Sequence, residues 1–153
     1  MNAAKATVVT SMGTIEIELW PTKAPKHVEN FKKLADQGFY NGLVFHRVIP
    51  DFVVQTGCPQ GTGTGGPGWK VHAEFNDATF LKGTLGMARS TDPNSAGSQF
   101  FICVADSPWL NGQYTAFGKV TVGQEIADAI SRVKRDGRDR PNEVIKMETV
   151  TVK

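Results

Sequence analysis

From residue 14 to residue 20 apolar and polar side chains alternate strictly, with Ile15, Ile17 and Leu19 on one face and Thr14, Glu16 and Glu18 on the other. A period of two is that of a half-buried strand. Met12-Gly13 offers a turn back onto the run 7–10, so the chain is expected to open with an antiparallel hairpin. The period then changes. Ala24, Val28, Phe31 and Ala35 recur at helical spacing, Pro25 is tolerated in a first turn, and Gly38 stops the run, which predicts a helix over 24–37. Beyond the turn signal Asn41-Gly42, the runs 43–49 and 52–56 read as strands separated by Pro50-Asp51.

Residues 57–68 are dominated by glycine, proline and threonine and predict a long surface loop ended by Trp69. Shorter apolar runs at 84–88, 100–104 and 115–122 follow, joined by turn-rich connections. A second helix is expected near Gln124, with Ile126, Ala129, Ile130 and Val133 forming an i, i+3, i+4, i+7 stripe. In the last run, 144–152, Ile145 and Met147 share one parity and Val150 and Val152 the other, which a bulge near Glu148-Thr149 would reconcile. Many short strands with two helices far apart argue against alternating β-α units. They favour a mainly β fold, a closed antiparallel sheet with helices over its ends.

At 153 residues the chain has the size of one domain, here taken as 1–153, and needs no disulfide or metal to build a core. Its 17 lysines and arginines against 15 acidic residues leave a net charge of only +2, and the basic stretch 132–140 is broken by aspartates and glycine. That stretch reads as a solvated loop, with no aromatic interleaving for nucleic-acid bases. No run reaches the ~20 apolar residues of a membrane helix, and residues 1–6 lead into a strand without the apolar core of a secretory leader. A soluble cytoplasmic protein, monomeric by default, is expected. Cys58 and Cys103 are too few for a disulfide framework, and His27, His46 and His72 are too scattered for a zinc site, so neither metal nor cofactor is expected.

The stretch 45–55 sets Arg47, Gln55 and Phe52 amid otherwise strand-like sequence. A guanidinium on a sheet must find water, a partner or a ligand, and both a structural ion pair and a binding role satisfy it. Gly61-Thr62-Gly63-Thr64-Gly65-Gly66 fits the dinucleotide expression, but Pro67-Gly68-Trp69 cannot begin the helix whose N–H groups would face a pyrophosphate. The loop is better suited to walling a groove. Phe100 and Phe101 are adjacent in a strand, so one ring can enter the core while the other lines an outer groove, near the apolar pair Trp109-Leu110. Asn94, Ser95 and Ser98 read as turn formers. No nucleophile triad or carboxylate pair suggests hydrolysis.

Taken together, Phe45-His46-Arg47-Val48-Ile49-Pro50, Phe52, Gln55, Gly97-Ser98-Gln99-Phe100-Phe101-Ile102, Trp109-Leu110-Asn111-Gly112 and Phe117-Gly118-Lys119-Val120 resemble the cyclophilins, in order and with compatible spacing over residues 6–152. The resemblance implies a closed eight-stranded antiparallel β-barrel capped by two α-helices. It implies peptidyl-prolyl cis-trans isomerase activity, in which Arg47 hydrogen-bonds the prolyl nitrogen of the twisted bond while Gln55 and Phe52 assist. Val53, Ala88, Arg89, Gln99, Phe101, Trp109, Leu110 and Tyr114 would bind substrate. Implied partners are proline-containing peptides, unfolded or flexible protein segments, and cyclosporin-type cyclic peptides, with a proline-peptide binding module as the alternative. The chain departs from the family's pattern at Val53, where many members have methionine, and at Tyr114, where the best-known eukaryotic members have histidine. Residues 87–96 depart from the eukaryotic type and look bacterial.

Overall fold

A computed structural model describes residues 4–153, so Met1, Asn2 and Ala3, part of the stretch whose sequence argues against a leader, lie outside the described residues. The strands are β1 (Ala4–Thr10), β2 (Gly13–Leu19), β3 (Arg47–Ile49), β4 (Val53–Thr56), β5 (Thr84–Met87), β6 (Phe100–Cys103), β7 (Ala116–Val122) and β8 (Met147–Val152). Two α-helices, α1 (Pro25–Asp36) and α2 (Gln124–Ser131), and a 3-10 turn at Pro108–Leu110 complete the elements. All eight strands belong to one sheet, in the order β3-β4-β6-β5-β7-β2-β1-β8, with every neighbouring pair antiparallel.

Full closure overstates what the backbone does. Among the described residues no ladder joins the edge strands β3 and β8. The seam is stitched by the segment entering β3, where Gly42 N donates to Met147 O at 2.7 Å, Met147 N to Leu43 O at 2.8 Å and Phe45 N to Ile145 O at 2.9 Å. The run 43–49 is therefore strand only from Arg47 onward. Among the described residues no helix is long and apolar enough to cross a membrane.

The amino-terminal hairpin forms as its alternation dictates, burying Ala6, Val8, Ile15, Ile17 and Leu19. Thr10 Oγ1 donates to Gly13 O at 2.7 Å across the turn. Gly13 holds a φ of +143°, and a Cβ there would stand 2.6 Å from Ile126 Cδ1, so α2 rests directly on the hairpin. In α2 the buried face is Ala127, Ile130 and Ser131, with Ile126 packed against the core. The expected stripe needs correction: Ala129 is exposed, and Val133 lies beyond the helix, which stops at Ser131. In β8, Val9 pairs with Thr149 but Thr10 with Met147, leaving Glu148 as an extra residue. This bulge lets Met147 and Val150 both face inward, as the change of parity requires.

Two apolar clusters lie on opposite sides of the sheet. The larger fills the interior with Phe31, Leu34, Tyr40, Phe45, Phe100 and Phe117. Phe31 meets Phe100 at 5.3 Å between ring centroids and 78°, and Tyr40 meets Phe100 at 5.5 Å and 87°; each edge-to-face pair contributes about 0.5–1.5 kcal/mol beyond its buried area. The Tyr40 hydroxyl, buried with them, donates to Ser98 O at 2.9 Å. With these side chains inside, the interior of the curled sheet is a packed apolar core. The smaller cluster gathers Val53, Phe80, Phe101, Cys103, Leu110 and Ala116 on the outer face. Phe100 and Phe101 are thus divided between the two, as strand alternation demands.

Candidate active site

The outer face carries one cross-strand row. Arg47 in β3 pairs with Gln55 in β4, Gln55 with Phe101 in β6, and Phe101 with Gly86 in β5. Residues directly opposite in adjacent antiparallel strands project to the same side, so the row sets a guanidinium, an amide and a phenyl ring side by side. The β3–β4 connection determines this register. A two-residue turn at Pro50-Asp51 would set Arg47 opposite Val54, but the loop also includes Phe52, whose N–H donates to Ile49 O at 3.2 Å. Asp51 takes the left-handed φ of 63° that the reversal needs, a conformation aspartate tolerates better than most residues. Phe52 thereby leaves the strand and reaches the rim of the site.

Arg47, Phe52, Val53, Gln55, Ala88, Arg89, Phe101, Leu110 and Tyr114 line one pocket of about 130 Å³. That is room for one small ring. Val53, Phe101 and Leu110 form its buried floor and walls. Phe101 meets Tyr114 edge-on at 5.7 Å and 89°, and the Arg89 guanidinium lies 4.5 Å from the Tyr114 ring centre. Trp109 does not line the pocket. It stands at the mouth, 62% exposed, with its ring 5.8 Å from that of Phe52.

Polar contacts fix the row. Arg47 Nη1 donates to Gln55 Oε1 at 3.4 Å, and Gln55 Nε2 donates to Gln99 Oε1 at 3.1 Å. Gln99 Nε2 donates to the carbonyls of Gly63 at 3.0 Å and Gly65 at 2.8 Å. The glycine-rich loop therefore walls the groove, as its composition suggests, and a trough of about 540 Å³ runs along it past Gln99 and Arg89. Of the presumed turn formers, Ser95 does close its turn by donating to Asp92 O at 2.6 Å, but Ser98 is a buried brace donating to Gly57 O at 2.6 Å.

Four supporting residues escape a reading of the sequence. Gly86 lies under the Phe101 ring, where a Cβ would stand 2.3 Å from Phe101 Cζ and 2.7 Å from Phe80 Cε2. A glycine inside a strand is the available signal for such an approach. Phe80 stacks on Phe101 at 5.8 Å and 29°. Cys58 Sγ accepts the N–H groups of Gly63 at 3.3 Å and Gly65 at 3.2 Å. Desolvation of this thiol resists ionisation, but N–H groups from Gly65, Gly63, Thr62 and Gln60 outweigh it and bring its pKa down to about 7. His46, buried beside the same loop, is held neutral by desolvation and by the Arg140 and Arg47 charges, its pKa lowered to about 4. Cys103, in the apolar cluster, is pushed by burial up to about 12.

The chain matches the profile of the family described as cyclophilin type peptidyl-prolyl cis-trans isomerase/CLD over residues 5–152. It is 56% identical over 119 residues to the peptidyl-prolyl cis-trans isomerase B of Bacillus subtilis, covering 76% of this chain and 82% of that protein. It is 52% identical over 115 residues to a peptidyl-prolyl cis-trans isomerase of Synechococcus elongatus, covering 75% and 79%. Its fold superposes on the crystal structure of a Cryptosporidium parvum cyclophilin type peptidyl-prolyl cis-trans isomerase with a TM-score of 0.95 at 31% identity, covering 99% of this chain and 98% of that one. A second structure of that protein, in the presence of the dipeptide Ala-Pro, gives 0.93 at 32% identity, covering 97% and 98%.

Proposed function

The chain belongs to the cyclophilin-type peptidyl-prolyl cis-trans isomerases, and from that membership we propose how its outer-face row turns an X–Pro bond. Rotation is slow because amide resonance imposes a barrier of ~18–20 kcal/mol. No covalent bond has to break. In the twisted transition state the prolyl nitrogen regains its lone pair and becomes a hydrogen-bond acceptor, which the planar ground state does not offer. A donor aimed at that nitrogen lowers the barrier selectively.

Arg47 is that donor. Its guanidinium supplies charge-assisted N–H groups in a fixed fork and acts electrostatically, without proton transfer. Gln55 restrains it from the adjacent strand at 3.4 Å, which is the observation that carries this assignment. The pyrrolidine ring sits in the 130 Å³ pocket against Val53, Phe101 and Leu110, with Phe52 at the rim, while the chain on the other side of the bond turns. Raising the rate from ~0.01 to ~100–1,000 per second needs about 5–7 kcal/mol. One charge-assisted hydrogen bond supplies ~1.5–3 kcal/mol of it. Desolvation of the bond and preorganised contacts with the ring supply the remainder.

The reading takes residues 1–153 as one domain, acting as a cytoplasmic monomer on proline-containing segments of flexible or unfolded chains. Cyclosporin-type cyclic peptides would occupy the same pocket, with Trp109 covering them at the mouth. The test is cis–trans exchange of a short Ala-Pro peptide followed by NMR, with wild type beside Arg47→Ala. Turnover should fall ~100-fold or more in the variant while the peptide dissociation constant changes only a few-fold. Equal losses in binding and turnover would remove Arg47 from the transition state.

A further inference from the structure

The chain as a whole is nearly neutral, with 17 cationic and 15 acidic residues, but its groove is not. The proline pocket is lined by Arg47 and Arg89, the adjoining trough by Arg89 and Lys70, and neither cavity has a carboxylate in its lining. None of these three cations has a carboxylate partner within ion-pair distance among the described residues, although five lysine or arginine pairs with carboxylates form elsewhere on the surface. Asp92, on the turn beyond Arg89, lines neither cavity and holds the Asn94 N–H with Oδ1 at 2.9 Å.

Arg89 stands where the two cavities meet, and it is held still. Nε and Nη2 both donate to Gln113 O, at 3.0 and 2.8 Å, and Nη1 donates to Ser90 O at 3.0 Å. The guanidinium also lies over the Tyr114 ring at 4.5 Å. Of the five N–H donors an arginine carries, three are thus engaged and two remain for a ligand. Backbone carbonyls fix the head group without neutralising it. A cation already immobilised loses little side-chain entropy when an anion arrives, so it discriminates charge better than a mobile surface lysine.

Resting on the isomerase reading of the same site, we infer that this enzyme selects prolyl segments bearing an aspartate or glutamate close to the X–Pro bond, on the arm of the peptide that enters the trough. Arg89 is the specificity-determining residue and Lys70 a secondary attraction further along. Successive Cα atoms are about 3.8 Å apart, so a side chain within three residues of the proline spans from the pocket into the trough. Basic segments are disfavoured by the same three charges.

The experiment uses short peptides around a single Ala-Pro bond, with Glu, Gln or Lys placed singly at each of the three positions before and after it. NMR titration reads the dissociation constant and exchange reads the turnover. At low salt the Glu peptide should bind about three- to tenfold more tightly than its Lys counterpart at positions on one arm only, the ratio falling toward one near 1 M salt. Arg89→Gln should collapse the ratio and Arg89→Glu should invert it, with Lys70→Gln giving a smaller loss. Equal affinity for Glu and Lys peptides at every position, or a preference that survives both neutralising variants, would overturn the inference. If neutral peptides are turned over without any charge preference, only the specificity falls. If no peptide is turned over, the isomerase reading falls, and the ratio of dissociation constants still decides the specificity.

Discussion

Gln55 and Gln99 face each other amide to amide, the Nε2 of the first donating to the Oε1 of the second at 3.1 Å. Which way round they stand is decided outside the pair. Gln99 meets two carbonyls, those of Gly63 and Gly65, and must present its NH2 group to them. Its oxygen is then turned to Gln55, whose own oxygen is left for Arg47. Reversing Gln55 would set N–H against N–H at the guanidinium, and reversing Gln99 would set its NH2 against that of Gln55 and its oxygen against the two carbonyls, so the orientation of the groove loop reaches the cation through two side chains.

Gln99→Glu should therefore weaken catalysis. A carboxylate cannot donate to Gly63 and Gly65, and the loop would be repelled where it is now held. We expect kcat/KM to fall about tenfold, with amide resonances of residues 63 and 65 shifting or broadening, measured by exchange spectroscopy and backbone NMR. A variant with unchanged loop resonances and full activity would show that the loop does not set the polarity.

Gly86→Ala should injure the pocket from beneath. A methyl group 2.3 Å from Phe101 Cζ and 2.7 Å from Phe80 Cε2 forces both rings to move. Overpacking of this kind costs about 1–3 kcal/mol. Thermal unfolding should show the loss, and isomerase activity should fall at least tenfold. Phe101→Leu in the same chain should recover much of the stability while leaving activity low, which separates packing from substrate contact.

Stability should decline as pH falls from about 6.5 towards 4. His46 takes up a proton near its usual pKa in the unfolded chain but only at about 4 in the folded protein, because burial and the Arg140 and Arg47 charges oppose the cation. Between those values the unfolded state binds more protons, so acid favours unfolding, by roughly 3 kcal/mol in full. His27, also lowered by burial, and Glu74, held as a carboxylate, add in the same direction. Urea midpoints at pH 7 and 4.5 should differ less in His46→Gln than in wild type. Parallel losses in the two proteins would show that His46 is not the source of the acid sensitivity.

A cyclosporin-type peptide should quench or shift the fluorescence of Trp109, which is 62% exposed at the pocket mouth. Competition with an Ala-Pro substrate should accompany the change, and Trp109→Phe should weaken inhibition several-fold while sparing turnover of small peptides. Absence of inhibition at high micromolar concentration would show that Tyr114 and Val53 have reshaped the rim against such ligands.

Much of this site was legible in the order of residues, and the exceptions have physical causes. Arg47 among strand residues signalled a guanidinium that needed a destination, and the Phe100-Phe101 pair signalled one ring inside and one outside. The change of parity also called for a bulge near Glu148-Thr149, and the β1–β8 register places it at Glu148. The pairing of Arg47 with Gln55 was not legible, because it depends on whether Phe52 belongs to the turn, a one-residue distinction that composition does not make. Cys58 and Gly86 act by contact with residues 5–15 positions away along the chain, and Ala129 was placed on the buried face of α2 because a stripe does not say where its edge lies.

The cross-strand row from Arg47 to Gly86 has a consequence for how such a chain can diversify. Inserting or deleting one residue within β3, β4 or β6 would rotate its site residue to the opposite face, exchanging pocket for core in a single step. Change of length is therefore better accommodated in the connections that flank β5 and follow β6, the segments 57–83, 88–99 and 104–115, which carry the trough wall, Arg89 and Trp109. Those connections also hold Gln99, Leu110 and Tyr114, so selectivity and the support of the proline pocket change together when their length changes. Loops exchanged between relatives would redirect the enzyme toward new client segments while leaving the strand-borne row of Arg47, Gln55 and Phe101 in place, provided that Gln99 and Leu110 are kept.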